Sequence, residues 1–257
     1  MLQQTQTARV APAFEAFLTH FPDVRTLASS SRADVLRAWG RLGYPRRAVA
    51  LHRAAGEIVE RHGCVVPCDP AVLRTLEGVG PYTAAAVASL AYGAPVAVVD
   101  TNVRRVWARV DHAAEPDEMP ARVMHAAAAA WLDASRPASW NSALMDLGRE
   151  VCKPTPRCDA CPLRPWCAFA AEGRAGRSST RRQPKFDGSL RQVRGSALEA
   201  LQERSPRTLG GLARAIGLPR ERVVEAIGGL ERDGVVAASA GALAGRDRGR
   251  VSLADGP

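Results

Sequence analysis

From residue 9 to about 170, apolar positions recur every three or four residues, alanines are frequent and β-branched runs are few, a pattern that predicts packed amphipathic helices. Phe14, Phe17, Leu18 and Phe21 form one stripe, interrupted by Pro22 and Asp23. Val35, Leu36 and Trp39 form a second, ending near Gly40 and Gly43. Asp69 and Pro70 have the chemistry of an N-cap and first helical residue. They predict a short helix to Leu76, stopped by Glu77-Gly78-Val79-Gly80. Pro81 then opens a helix that runs through alanine-rich sequence to Tyr92 and ends at Gly93. The product is a helix, a tight glycine turn and a second helix. Trp140, Leu144, Leu147 and Val151 mark one face of a later helix that delivers Cys152 to a loop.

Between Glu172 and Asp187 the periodicity gives way to Gly, Ser, Thr and Arg, which reads as an exposed basic linker and a domain boundary. Beyond it, helices are expected over 190–201, over 209–216 with Thr208 as cap, and from Leu218-Pro219 through Leu230. Val235-Val236 and residues 250–253 are expected to form two short strands. Helices followed by a small hairpin suggest a winged helix-turn-helix of roughly 70 residues. A compact helical appendage without DNA contact is the alternative.

At 257 residues the chain is long enough for two or three small domains. Its formal net charge of +9 is carried almost wholly by arginine, Lys153 and Lys185 being the only lysines. Polyanions are the natural partners of such a surface, although basic charge also serves solubility alone. No apolar run reaches the roughly 18 residues that span a bilayer. A soluble, cytoplasmic protein that meets no membrane is expected.

Cys152, Cys158, Cys161 and Cys167 lie within one short segment, with intervals of five, two and five residues. Structural zinc usually takes two separated Cys-x-x-Cys pairs. One such pair flanked by two distant cysteines suits a cubane iron–sulfur cluster better. Zinc, a disulfide framework and unconnected buried thiols are the alternatives, the disulfides disfavoured in a reducing cytosol.

Three segments in order, Met1-Leu-Gln-Gln-Thr-Gln6, Leu76-Glu-Gly-Val-Gly-Pro-Tyr-Thr-Ala84 and Val98-Val-Asp-Thr-Asn-Val-Arg-Arg105, precede the cysteine run. With Leu42-Gly-Tyr44 and Leu51-His52, they resemble the A/G-specific adenine DNA glycosylases of the helix-hairpin-helix superfamily, which includes endonuclease III. The resemblance covers residues 1 to about 170. It implies a mainly α fold: a six-helix barrel over 1–98 with the hairpin at 76–84, and a domain over 99–170 holding the catalytic aspartate and one [4Fe-4S] cluster. A linker over 171–187 and the winged-helix-like segment over 188–257 complete the expected organisation. The implied function is base-excision repair of adenine mispaired with 8-oxoguanine or guanine in double-stranded DNA, by a monomer associated with the nucleoid. A glycosylase of other base specificity and an inactive DNA-binding or lesion-sensing protein are the rival readings.

Each motif also has its own physical reading. Gly78 and Gly80, flanking Val79, let the backbone turn sharply and approach a phosphate near a helix N-terminus, as they would also serve an ordinary helix-joining turn. Asp100 precedes a helix carrying Arg104, Arg105 and Arg109 and reads locally as its N-cap. The resemblance adds a second role, facing the sugar of a flipped nucleotide, where a carboxylate stabilises charge developing at the anomeric carbon. It also implies that Tyr82 and Asn102 orient Asp100. Tyr82 stands where lyase-active relatives carry lysine, and no lysine precedes residue 153, so Schiff-base chemistry has no amine in this region. Water-mediated excision without strand cleavage follows. Gln3 and Gln4, with Leu42 and Tyr44, match the segments that wedge into the duplex and hold the orphaned base; core packing is the alternative for Tyr44. Lys153 and Arg157 lie in the cysteine loop, facing either phosphates or solvent. His52, His62, His112 and His125 have no metal-like spacing, and Cys64 and Cys68 read as buried thiols.

Three departures from the family pattern bear on activity. The family's acid catalyst, a glutamate, would lie two residues before Met1, so the sequence as it stands is expected to bind DNA but excise adenine poorly, its start having been assigned too late. The first cysteine interval is one residue shorter than the family's usual six, and Ser142 replaces a longer carboxylate or amide beside the matching Asn141. Residues 188–257 lack the pattern of the nucleotide-pyrophosphohydrolase-like domain that relatives use to sense 8-oxoguanine.

Overall fold

The computed structural model of the chain describes residues 1–3, 5–177 and 185–255. In chain order its elements are α1 (Thr7–His20), α2 (Val24–Ser29), α3 (Arg32–Trp39), α4 (Arg46–His62), α5 (Pro70–Leu73), α6 (Pro81–Ala86), α7 (Thr101–His112), α8 (Ala121–Ala130), α9 (Pro137–Glu150) and α10 (Ala168–Ala171). They continue as α11 (Leu190–Glu203), β1 (Arg207–Thr208), α12 (Leu209–Ile216), α13 (Arg220–Arg232), β2 (Val236–Ala238), α14 (Ala240–Leu243) and β3 (Arg250–Leu253). The fold divides into two units: Met1–Val66 with Leu76–Gly78 and Gln183–Pro257, and Pro67–Thr75 with Val79–Arg182.

The first unit is built on one apolar core. Val35, Leu36, Ala48 and Val49 of α3 and α4 share it with Val193 and Leu201 of α11, Leu209 and Leu212 of α12, and Ile227 and Leu230 of α13. Each of these valine, leucine and isoleucine side chains contributes about 1.5–3 kcal/mol through burial. The C-terminal helices therefore close the core of the N-terminal helices, and Gln202 Nε2 donates to the Leu36 carbonyl at 2.7 Å. The three strands form an antiparallel sheet in the order β1-β3-β2, with Arg207 opposite Val251 and Val236 opposite Leu253. Sequence patterning anticipates β2 and β3 but not the two-residue β1 or the single turn of α14, both too short to show a period.

The second unit rests on α7 packed against α9. Gly148 sets their approach: a Cβ there would lie 2.6 Å from Asn102 Cβ and 2.9 Å from the Asn102 carbonyl oxygen. The buried positions of α9 are Pro137, Asn141 and Gly148, whereas the expected stripe of Trp140, Leu144, Leu147 and Val151 is half-buried. A polar residue and a glycine at the helix contact carry no hydrophobic signal.

Other expectations change in detail. On α1 the buried positions are Val10 and Phe17, with Phe21 just beyond its end, while Phe14 and Leu18 are exposed. Asp69 caps α5 as expected, its carboxylate accepting from Ala71 N at 2.7 Å. The helix nevertheless ends at Leu73, because Thr75 closes a tight turn with both its N–H and its hydroxyl on the Val72 carbonyl. The helix opened by Pro81 passes into a π-helical turn over Val87–Ala91 before Gly93, at φ +68°, ends it. Cys64 is half-buried and Cys68 exposed, in place of two buried thiols, since Gly63 and Cys64 leave α4 in left-handed conformations. Among the described residues no helix is long and apolar enough to cross a membrane.

Candidate active site

Asp100 begins α7, and its carboxylate is fully engaged. Oδ1 accepts from the backbone N–H of Asn102 at 2.8 Å and of Val103 at 2.7 Å, and Oδ2 accepts from Asn102 Nδ2 at 2.9 Å. One carboxylate oxygen thus caps the helix while the Asn102 amide holds the other. Asn102 Oδ1 in turn accepts from Arg105 Nη2 at 2.8 Å. The same guanidinium reaches the Gly148 carbonyl at 2.7 Å and the Cys152 carbonyl at 2.6 Å. Asp100, Asn102 and Arg105 therefore form a continuous chain from the carboxylate to the start of the cysteine loop. Burial, and then the charge of Asp100, raises the Tyr82 phenol above its ordinary value.

The strand-like segment that leads to Asp100 is pinned by Asn141. Its Oδ1 accepts from Val98 N at 2.9 Å, and its Nδ2 donates to Ser89 Oγ and the Val96 carbonyl, both at 2.9 Å. The amide supplies both polarities that the donor and the acceptor of this one segment require. Ser142, the next residue, is exposed.

In the first unit, Arg47 ties two sequence-predicted segments together. Its guanidinium donates to the carbonyls of Met1 and Gln3 and to Thr5 Oγ1, and lies 5.3 Å from the Tyr44 ring centroid and 5.4 Å from that of Trp39. Thr5 Oγ1 also donates to the Leu42 carbonyl at 3.3 Å. Leu42 is buried, while Tyr44 is 49% exposed at φ +47°, an unusual conformation for an aromatic residue and one that holds the ring outward. Gln4 and the side chain of His125 lie outside the described residues. The hairpin turn needs glycine at Gly78, which adopts φ +72° and where a Cβ would lie 2.6 Å from Ala50 Cβ. Gly80 has extended backbone and open space at its Cβ position, so it is not demanded by packing.

All four loop cysteines are free thiols and line one cavity with Val106, Leu147 and Phe169. Among the described residues no group of three or more His, Cys, Asp or Glu side chains is gathered closely enough for a single metal ion. Burial raises Cys152 and Cys158 above the ordinary thiol value. Arg109 stands against this group with its Nη1 3.7 Å from Cys152 Sγ. It also donates to the carbonyls of Lys153 at 2.6 Å and Pro154 at 3.0 Å and pairs with Glu115 at 2.8 Å. Its side chain is 1% exposed. Lys153 is half-buried and Arg157 exposed, the latter donating to the Glu150 carbonyl.

Residues 1–131 match the family described as HhH-GPD superfamily base excision DNA repair protein. The chain belongs to the HhH-GPD superfamily. Its sequence is 43% identical over 204 residues to the adenine DNA glycosylase of Mycolicibacterium smegmatis, covering 79% of this chain and 69% of the relative. It is 47% identical over 206 residues to that of Mycobacterium tuberculosis, covering 79% and 67%. The human adenine DNA glycosylase is 39% identical over 171 residues, covering 65% of this chain and 31% of its own length. Solved structures with the same fold include a thermostable thymine-DNA glycosylase, with a TM-score of 0.62, 24% identity and coverage of 66% of this chain and 80% of the other. A non-covalent endonuclease III–DNA complex has a TM-score of 0.59, 22% identity and coverage of 67% and 80%.

Within this HhH-GPD chain, the structure brings Asp100, Asn102 and Tyr82 together in one unit, and groups Leu42, Tyr44 and Gln3 through Arg47 in the other. The sequence pattern placed Arg105 and Arg109 on a cationic helix but not in these networks. Glu115 and Arg47 had no motif to mark them. Their signal is the pairing itself, across distances in sequence that no local period spans.

Proposed function

We propose that this HhH-GPD chain is a monofunctional adenine DNA glycosylase that hydrolyses the N-glycosidic bond of adenine opposite 8-oxoguanine or guanine in duplex DNA. The observation that carries this reading is the fixed Asp100 carboxylate, held by Asn102, in a region without any lysine. Breaking the glycosidic bond leaves positive charge on the sugar, and a preorganised carboxylate aimed at that charge lowers the barrier. Protonating the departing adenine requires a separate acid, because a carboxylate acting as the charge stabiliser cannot also be the proton donor. Gly78, Val79 and Gly80 would offer backbone to a phosphate, with Lys153 and Arg157 adding charge. Gln3, Gln4, Leu42 and Tyr44 would fill the space beside the orphaned base.

Cys152, Cys158, Cys161 and Cys167 would hold one [4Fe-4S] cluster. Their common cavity and the adjacent Arg109 guanidinium suit a bulky anionic group bonded to four thiolates. When bound, the cluster would supply a structural clamp on the loop that receives Arg105. Iron and sulfide analysis with visible absorbance tests this, and Cys158→Ser is expected to lose the chromophore.

Single-turnover excision on duplexes carrying A opposite 8-oxoguanine, A opposite G, or an oxidised pyrimidine tests the function, with the chain alone and with an upstream segment bearing a glutamate. Adenine release from the first two duplexes, with no borohydride-trapped adduct, is expected. Asp100→Asn is expected to lower the rate about 100-fold or more. Pyrimidine excision, a trapped covalent adduct, or no adenine release with or without the upstream glutamate would overturn this reading.

A further inference from the structure

We infer that the corner of the C-terminal segment formed by the loop between α14 and β3 and the start of α13 is a second, sequence-independent grip on duplex DNA. The segment has the layout of a winged helix-turn-helix: α12, the short turn at Gly217–Pro219, α13, and a loop between two antiparallel strands. Fold analogy alone does not assign it DNA. The charge and rigidity of the loop do.

Arg246, Arg248 and Arg250 are exposed, and none makes a side-chain hydrogen bond or ion pair with described residues. The loop that carries them is not free to rearrange. Leu209 N donates to the Gly249 carbonyl at 2.8 Å, Gly210 N to the Asp247 carbonyl at 3.0 Å, and Arg246 N to the Gly241 carbonyl at 2.8 Å. Ser239 closes the base, its Oγ accepting from Arg250 N at 2.9 Å. Gly249 is required for this closure, since a Cβ would lie 2.1 Å from Ala242 N. Asp247 is the one carboxylate in the loop, and Arg220 at the start of α13 pairs with it at 2.9 Å. A built loop whose one acid is neutralised by α13, with three arginines unpaired among the described residues, is suited to phosphates.

The opposite end of α13 is occupied: the turn at Gly234 lies against Val49 and Arg53 of α4. Thirteen residues of helix separate the two ends by about 20 Å, so the arginine corner is clear of that packing. The outward stripe of α13 is Glu221, Glu225, Gly228 and Arg232. Two carboxylates on that stripe oppose burial between two phosphate rows. The contact is therefore made by the loop on the backbone, without α13 reading base edges in the major groove.

The test is equilibrium binding of the full chain to an undamaged, fluorescein-labelled 40-base-pair duplex across about 50–200 mM salt, comparing the parent, Arg246→Ala/Arg248→Ala and Arg246→Lys/Arg248→Lys. Removing two phosphate contacts should reduce the log–log salt slope by about 1.8, so the parent's advantage shrinks about tenfold over that range. The lysine pair should restore the slope, and thermal unfolding should be unchanged because neither side chain has a partner. Identical slopes for parent and alanine variant would overturn the inference, leaving an acidic protein surface as the better fit. This inference rests on the repair reading for its duplex partner. A parent that does not bind duplex DNA would sink that reading, whereas a binding parent with an unaffected variant sinks only the second grip.

Discussion

The two units solve burial differently. The first has a core of aliphatic and aromatic side chains, with His52 its one buried polar side chain among the described residues. The second buries Ser89, Arg109, Glu115 and Asn141 and gives each a hydrogen-bond partner within itself, Arg109 Nε alone among their nitrogens being left without one. Apolar packing is strong but non-directional. Hydrogen-bonded polar groups fix specific atoms, at the risk of a large loss when one partner is removed. The unit carrying Asp100 and the cysteines is the one that places individual backbone groups, and its buried polar residues sit on the segments leading to each.

The largest effect expected from this contrast is at Arg109. Arg109→Met strands Glu115 and three backbone or thiol acceptors, and should cost about 3–5 kcal/mol in urea unfolding. Replacing Arg109 and Glu115 together by Met and Leu should recover much of that loss. A double variant with normal stability but altered thiol accessibility would show that the pair positions the cysteine loop more than it stabilises the fold.

In the apolar unit, Leu201→Ala should cost about 2–5 kcal/mol by cavity formation. Near-identical losses at several core leucines, whatever their hydrogen-bonding surroundings, would sharpen the distinction. Asn141→Ala should cost about 1–3 kcal/mol, by leaving Val98 N–H and the Val96 carbonyl unpaired. It should also raise hydrogen exchange at Val98 while leaving the first unit protected. If exchange rises equally in both units, the contrast between them fails.

The smallest effect concerns His52. Burial lowers its value below the ordinary histidine range, with the Ser30 carbonyl 2.9 Å from Nε2 opposing that shift. The unfolded chain therefore binds the proton more readily. The stability from this group is complete above about pH 6.5 and falls as pH drops toward the lowered folded value. His52→Gln should flatten unfolding free energy between about pH 6.5 and 5, measured by urea titration.

Much of this molecule was legible one element at a time. Asp69 and Asp100 were readable as caps because a cap acts on N–H groups two and three residues away. Gly40 and Gly93 marked helix ends, and Gly78 the hairpin turn, because each adopts positive φ. Less legible were contacts with no local consequence. The expected stripe on α9 missed its buried face because Asn141 and Gly148 are chosen for what lies across from them: the backbone of residues 96–98 and the side chain of Asn102. Phe14 and Leu18 were misplaced because only the neighbours of α1 decide how wide its buried face is.

The linear order of residues determined the helical character, the cysteine spacing, the glycine hairpin, the aspartate at a helix start and the lack of lysine around it. These depend on interactions within about one turn, or on composition, and survive without knowing the fold. Tertiary structure alone decided that Arg105 joins Asp100's partner to the cysteine loop and that Arg47 gathers the N-terminal segment with Tyr44. It also decided that α11 to α13 complete the core begun by α3 and α4. Those pairings span some 40 to 200 positions, and only the packing of whole elements brings such groups within hydrogen-bonding or van der Waals reach.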